Sequence, residues 1–83
     1  MERVAFRVWK DTGTVIAFFL DRGDGRGLCD SYEHVGQHGY AFYPNNTRLA
    51  TPNEYRQLLQ ELRSIGYEDL VVVKRGRVKE GAY

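Results

Sequence analysis

The sequence predicts a small α+β domain: a short antiparallel sheet of three to four strands, in the order β-β-β-α-β, with one helix packed on one face. Three observations lead there. Residues near the N-terminus alternate in polarity, one well-capped amphipathic stretch lies between Thr51 and Gly66, and a chain of 83 residues has no room for a second core. The expected organisation is one domain over 1–83, with 76–83 as a frayed tail.

The first strand is read from Arg3 to Trp9, where Val4, Phe6 and Val8 point one way and Arg3, Ala5, Arg7 and Trp9 the other. Lys10-Asp11-Thr12-Gly13 supplies turn residues, and Thr14 to Leu20 is a β-rich apolar run, so the first twenty residues read as a hairpin. Asp21 to Gly27 holds three glycines and no apolar residue, which predicts an exposed loop. A third extended stretch covers Leu28 to about Val35. Gly36-Gln37-His38-Gly39 interrupts it, and Tyr40 to Tyr43 reads as a further strand or a short turn of helix. Pro44-Asn45-Asn46-Thr47 is turn chemistry again.

The helix carries the clearest signals. Thr51 is a natural N-cap, Pro52 suits the first helical position, and Glu54 completes a capping box. Tyr55, Leu58, Leu59, Leu62 and Ile65 recur at helical spacing, and Gly66 ends the pattern as the residue beyond the C-cap. Leu70 to Val73 are four consecutive apolar residues, which predicts an interior strand buried on both faces. One helix covers one face of a sheet, so the face carrying Arg3, Ala5, Arg7 and Trp9 is expected to be left open for solvent, a ligand or a second copy of the chain.

Composition excludes several classes. Twelve Lys and Arg face eleven Asp and Glu, a formal net charge of +1, so no global field draws the chain to nucleic acid or to a membrane. A hydrophobic share of 42% is enough for a packed core and argues against disorder. A single Cys rules out an internal disulfide and reads as a reduced, cytoplasmic setting. Met1-Glu2-Arg3-Val4 does not lead into the apolar core of a secretory signal, and Val15 to Leu20 is too short to span a bilayer. The Asn45-Asn46-Thr47 sequon has no meaning without secretion.

The densest set of reactive side chains runs from Cys29 through Asp30, Ser31, Tyr32, Glu33, His34 and Gln37 to His38. Cys29, His34 and His38, with Asp30 as a fourth ligand, are residue types that suit zinc, but one Cys is weak beside a paired Cys-x-x-Cys arrangement. The two histidines would share a face only on a helix, which Gly36 and Gly39 oppose. No metal or cofactor is therefore expected. A Cys29 thiol nucleophile activated by either histidine would need a lowered pKa, and a lone Cys beside a strand is more often a small buried hydrophobe. In the plainest alternative, Gly36-Gln37-His38-Gly39 is a structural turn. Between these stands a polar-aromatic site for a partner or small ligand, drawn from Tyr32, His34, Gln37, His38, Tyr40 and Tyr43, because Tyr and His combine flat apolar area with a hydrogen-bonding tip.

Gly23-Asp24-Gly25-Arg26-Gly27 is not a phosphate loop, since extended residues rather than a helix follow it and Asp21 and Asp24 repel anions. The aspartates also miss the spacing of a calcium loop. Two basic groups remain: Arg3 and Arg7 share a strand face with Trp9, and Lys74, Arg75, Arg77 and Lys79 follow the last strand. If the first and last strands are neighbours, a basic stripe with one aromatic crosses the sheet and suits single-stranded nucleic acid. Solvated tail charges and edge-strand charges that oppose aggregation explain the same residues more simply.

The segments Trp9-Lys10-Asp11, Val15-Ile16-Ala17, Ala50-Thr51-Pro52-Asn53-Glu54-Tyr55 and Ile65-Gly66-Tyr67, and above all Ser31-Tyr32-Glu33-His34-Val35-Gly36-Gln37-His38-Gly39, resemble a group of short uncharacterised proteins of bacteria and their phages that share an S-Y-x-H-x-G-Q-H-G stretch. The resemblance implies a setting rather than an activity. Small proteins on mobile elements are often accessory or anti-defence factors that bind a host protein or sequester a signalling nucleotide. The sequence thus favours a non-enzymatic binding module, with a host protein, a small ligand or a second copy as partner, ahead of a nucleic-acid module or a Cys/His enzyme.

Overall fold

The alternating N-terminal residues form β1 (Glu2–Trp9), which turns back as β2 (Val15–Gly23), the hairpin expected from the sequence. The computed structural model describes residues 2–34, 37–44, 46–74, 76 and 78. Gly13 lies in the connection with φ of 77°, a left-handed value that glycine adopts without steric cost. The chain continues as β3 (Leu28–Glu33), β4 (Gln37–Phe42), the three-residue β5 (Thr47–Leu49), α1 (Pro52–Ser64) and β6 (Leu70–Val72). The class is α+β, but the sheet has six strands where three to four were expected.

β4, β3, β2 and β1 form an antiparallel series, and β1 carries two strands on its other edge. β5 pairs antiparallel with Arg7–Trp9, while β6 runs parallel to Glu2–Val4. The Leu70–Val73 run is therefore a half-buried strand on a shared edge, not an interior strand. Its apolar residues still serve both faces: Leu70 and Val72 join the core under the helix, and Val73 joins the core on the opposite side. β4 begins at Gln37, through the glycine-containing stretch read as an interruption, because pairing with β3 from Glu33 to Leu28 outweighs the weak strand preference of Gly39. β2 likewise extends to Gly23, so the loop is shorter than expected and is held by Asp24, whose Oδ1 accepts from the backbone N–H groups of Arg26 (2.7 Å) and Leu28 (3.2 Å).

The helix follows its sequence signals. Thr51 Oγ1 accepts from the Glu54 N–H at 3.4 Å, and Glu54 Oε1 accepts from the Thr51 N–H at 2.9 Å, which completes the capping box. At the other end Tyr67 N–H donates to Leu62 O and Gly66 N–H to Arg63 O, the paired bonds of a Schellman motif, with Gly66 at φ of 118°. Leu58 and Leu62 are buried against Val4, Phe6, Val8, Ala17, Phe19 and Tyr32, and Tyr55 stacks on Phe6 with centroids 4.6 Å apart. Ile65, placed in the apolar stripe by its spacing, is exposed instead, because the helix has ended and the chain turns away.

The helix-free face is covered as well. Ala5, Ile16, Phe18, Leu20 and Cys29 form a second buried cluster, closed by Val78 and flanked by Trp9, Ala41, Tyr43 and Val73. Tyr43 meets Phe18 edge to face at 5.2 Å. The expectation of an open apolar face, free for a second copy, loses its premise: the chain's own residues cover it. At Val78 the tail is docked on the sheet, while residues 79–83 lie outside the described residues.

Candidate binding groove

Strand register decides which of the sequence-derived site residues meet. Tyr32 pairs with His38 and Asp30 with Tyr40, and since Ala17 pairs with Tyr32 under the helix, all four side chains belong to the helix side. Gln37 belongs to the other side, in a shallow recess with Trp9 and Glu33. Tyr43 packs on that side too, against Phe18 and beneath the Arg7 guanidinium at 5.7 Å from its ring centroid. The six residues grouped by sequence proximity are thus divided by the sheet, because consecutive strand residues point to opposite faces.

On the helix side an open groove of about 770 Å³ runs between the C-terminal end of α1 and the β2–β4 surface. Tyr32 and Tyr67 line it together with His38, the Arg22–Glu2 ion pair and the segment from Ile65 to Leu70. Tyr67 stacks on Phe19 at 4.9 Å, and Arg22 lies 5.6 Å from the Tyr67 centroid and 5.8 Å from that of Phe19. Arg22 is therefore held beside both rings and paired with Glu2, its charge already opposed. A smaller recess of about 180 Å³ shares His38 and Tyr67 with the groove and extends the lining to Asp30 and Tyr40. Among the described residues the carboxylates along these linings are Glu2, Glu68, Asp69 and Asp30, against the single cation Arg22. The site is acidic with an aromatic floor.

Glu61, near the end of α1, ties this end of the helix to the sheet. Its carboxylate accepts from the buried Tyr32 hydroxyl through one oxygen and from His34 Nδ1 through the other. The His38 ring meets the Tyr32 ring edge-on at 4.8 Å. Tyr32 is 1% exposed, so it shapes the groove rather than offering a hydroxyl to a ligand, whereas His34 is exposed outside the groove lining. Sequence reading missed Tyr67, Arg22 and Glu61. Tyr67 carried the one usable signal, an aromatic directly after a helix-ending glycine, the position that folds back on the helix in a Schellman motif.

The other expectations are placed differently by the fold. Cys29 belongs to the second core, on the side of the sheet opposite His38 and Asp30, and burial above all, then Asp30 and Asp24, pushes its thiol up to about 12. Neither the Cys29, His34 and His38 metal set nor a thiol nucleophile is assembled, and among the described residues no group of three His, Cys, Asp or Glu side chains is arranged to hold a metal ion. β1 and β6 are neighbours, as the basic stripe required, yet its members are engaged: Arg3 pairs with Asp21 at 2.9 Å, Arg7 donates to Thr47 Oγ1 (2.8 Å) and O (2.9 Å), and Trp9 Nε1 donates to Glu33 at 2.8 Å. Lys74 is exposed, and Arg75 and Arg77 lie outside the described residues. Among the described residues no helix is long and apolar enough to cross a membrane. The chain matches no protein-family model, no curated protein and no solved structure.

Proposed function

We propose that this chain is a non-enzymatic binding module whose helix-side groove receives a short segment of a partner protein bearing basic and flat apolar side chains. The observation that carries the reading is that Tyr67 and His38 line the groove and its side recess beside the carboxylates of Glu68, Asp69 and Asp30, while Glu2 is already paired with Arg22. Aromatic faces and carboxylates together suit an Arg or Lys side chain, by cation–π contact and ion pairing. The same charges oppose the phosphates of a nucleotide, so of the two partner classes implied by the bacterial and phage resemblance the protein segment is favoured. A role as an accessory factor acting on a host protein fits this surface and belongs to the same proposal.

Selection from a displayed library of random peptides tests it. Sequences enriched in Arg or Lys beside aromatic residues are expected, with affinity that falls as salt rises and drops roughly tenfold or more in Glu68→Lys, an exposed change expected to leave the fold intact. Equal enrichment on Glu68→Lys, or tight binding of mononucleotides at the groove in its place, would overturn the reading.

A further inference from the structure

We infer that β4 is a self-association edge, pairing antiparallel with β4 of a second copy about a twofold axis at Tyr40. β4 ends the sheet, and among the described residues no strand lies beyond it. Exposed edges in monomers are normally protected by charge, proline, bulges or short length. The opposite edge follows that rule, with two three-residue strands and Arg48 and Lys74 at hand. β4 does not. Gln37-His38-Gly39-Tyr40-Ala41-Phe42 is six residues long, has no acidic residue, Lys, Arg or proline, and pairs with β3 without a register break. Tyr40 and Phe42 are 66% and 58% exposed, the two most exposed large hydrophobic residues described.

The occupant is set by parity. Tyr43 N–H donates to Gly27 O, so the odd-numbered residues of this strand turn their backbone groups toward β3, and alternation turns those of His38, Tyr40 and Phe42 outward. These are also the residues whose side chains face the helix side. A twofold axis through Tyr40, perpendicular to the sheet, pairs His38 with Phe42 of the second copy and Phe42 with its His38, which joins outward N–H and C=O groups in register. The same operation clusters the aromatic rings on the helix side and places the small Gly39 and Ala41 opposite each other on the other face. No like charges meet across such a seam. An arbitrary strand would satisfy the backbone groups, but a second copy also sets ring against ring on the helix side and small residue against small residue on the other.

The area bounds the strength. With aromatic side chains of roughly 200 Å² each, the exposed parts of Tyr40 and Phe42 supply about 250 Å² per copy, so with His38, Gln37 and backbone the total stays below the 1,200–2,000 Å² of stable complexes. The dimer is accordingly weak and concentration-dependent. It also brings Phe42 of the second copy beside His38, at the lip of the groove.

Sedimentation velocity across a concentration series, together with cysteine cross-linking, tests the register. The wild-type chain should pass from monomer toward dimer between about 10 μM and 1 mM, in the range of small interfaces, and Tyr40→Lys should stay monomeric throughout, because it sets like charges opposite each other. Tyr40→Cys should be joined by a short bismaleimide many times faster than Gln37→Cys, since only the former lies on the axis; buried Cys29 does not compete. Circular dichroism and thermal melting confirm that each variant is folded. A wild-type chain that remains monomeric, association that survives Tyr40→Lys, or equal cross-linking of the two cysteine variants would each overturn the inference.

Discussion

Val78→Ala tests the claim that the C-terminal tail seals the helix-free face. Val78 is 8% exposed and closes a cluster whose other members, Ala5, Ile16, Phe18, Leu20 and Cys29, are at most 2% exposed. The substitution removes two methyl groups from contact with that cluster, and at about 0.8 kcal/mol per buried carbon it should cost about 1.5 kcal/mol. A surface-proximal site collapses readily, so little further cavity cost is expected. In urea, with a slope of about 1.5 kcal/mol per molar for a small domain, the midpoint should fall by roughly 1 M. The corresponding loss in Tm is roughly 6–12 °C. Leu20→Ala serves as a control on the sheet side of the same cluster and should cost about 2–5 kcal/mol. If Val78→Ala moves the urea midpoint by less than about 0.2 M while Leu20→Ala behaves as stated, the tail is not a cover and the second face is open after all.

Three further outcomes follow from the cap and the thiol. Thr51→Ala should destabilise the domain by about 1 kcal/mol, read by urea titration, since it removes the acceptor for the Glu54 N–H. The Arg48 guanidinium, then the Thr51 backbone N–H, hold the Glu54 carboxyl down to about 2. That stabilisation is complete above the ordinary glutamate value of about 4.3 and is lost as pH falls toward 2. The gap in stability between wild type and Glu54→Gln should therefore narrow from pH 5 to pH 2, and a constant gap would show that the carboxylate's charge does not matter. Cys29, with its thiol near 12 and fully buried, should react with a disulfide reagent at pH 8 at least about a hundredfold more slowly in the native protein than in urea; comparable rates would refute its place in the core.

What the sequence made legible were the elements with local signals. Thr51, Pro52, Glu54 and Gly66 mark the helix through hydrogen bonds made within a few residues, and the alternation from Arg3 to Trp9 marks a strand through its own period. β5 could not be read this way: Thr47-Arg48-Leu49 is a strand only because β1 presents an edge there. The covering of the second face was hidden for a similar reason. One valine in a charged, glycine-containing tail has no period, and only the folded sheet shows where Val78 lands. The candidate site was half legible. The Tyr and His concentration between Tyr32 and Tyr43 does border the groove through Tyr32, His38 and Tyr40, but Gln37 and Tyr43 fall on the other face once β4 starts at Gln37. Tyr67 and Arg22 join the site through stacking across the sheet, which spacing in the sequence does not report.

The pairing of β1 with β6 has a consequence for how the chain is made. Glu2, Arg3 and Val4 hold their parallel partners only after Leu70 to Val72 have been synthesised, so the earliest strand of this sheet is the last to be completed. Until then the nascent protein exposes the lower half of its central strand, with Val4 and Phe6 beside it, to other chains. A pause in translation after the helix would prolong that exposure, and a chain halted there would be a substrate for chaperones rather than a partly working product.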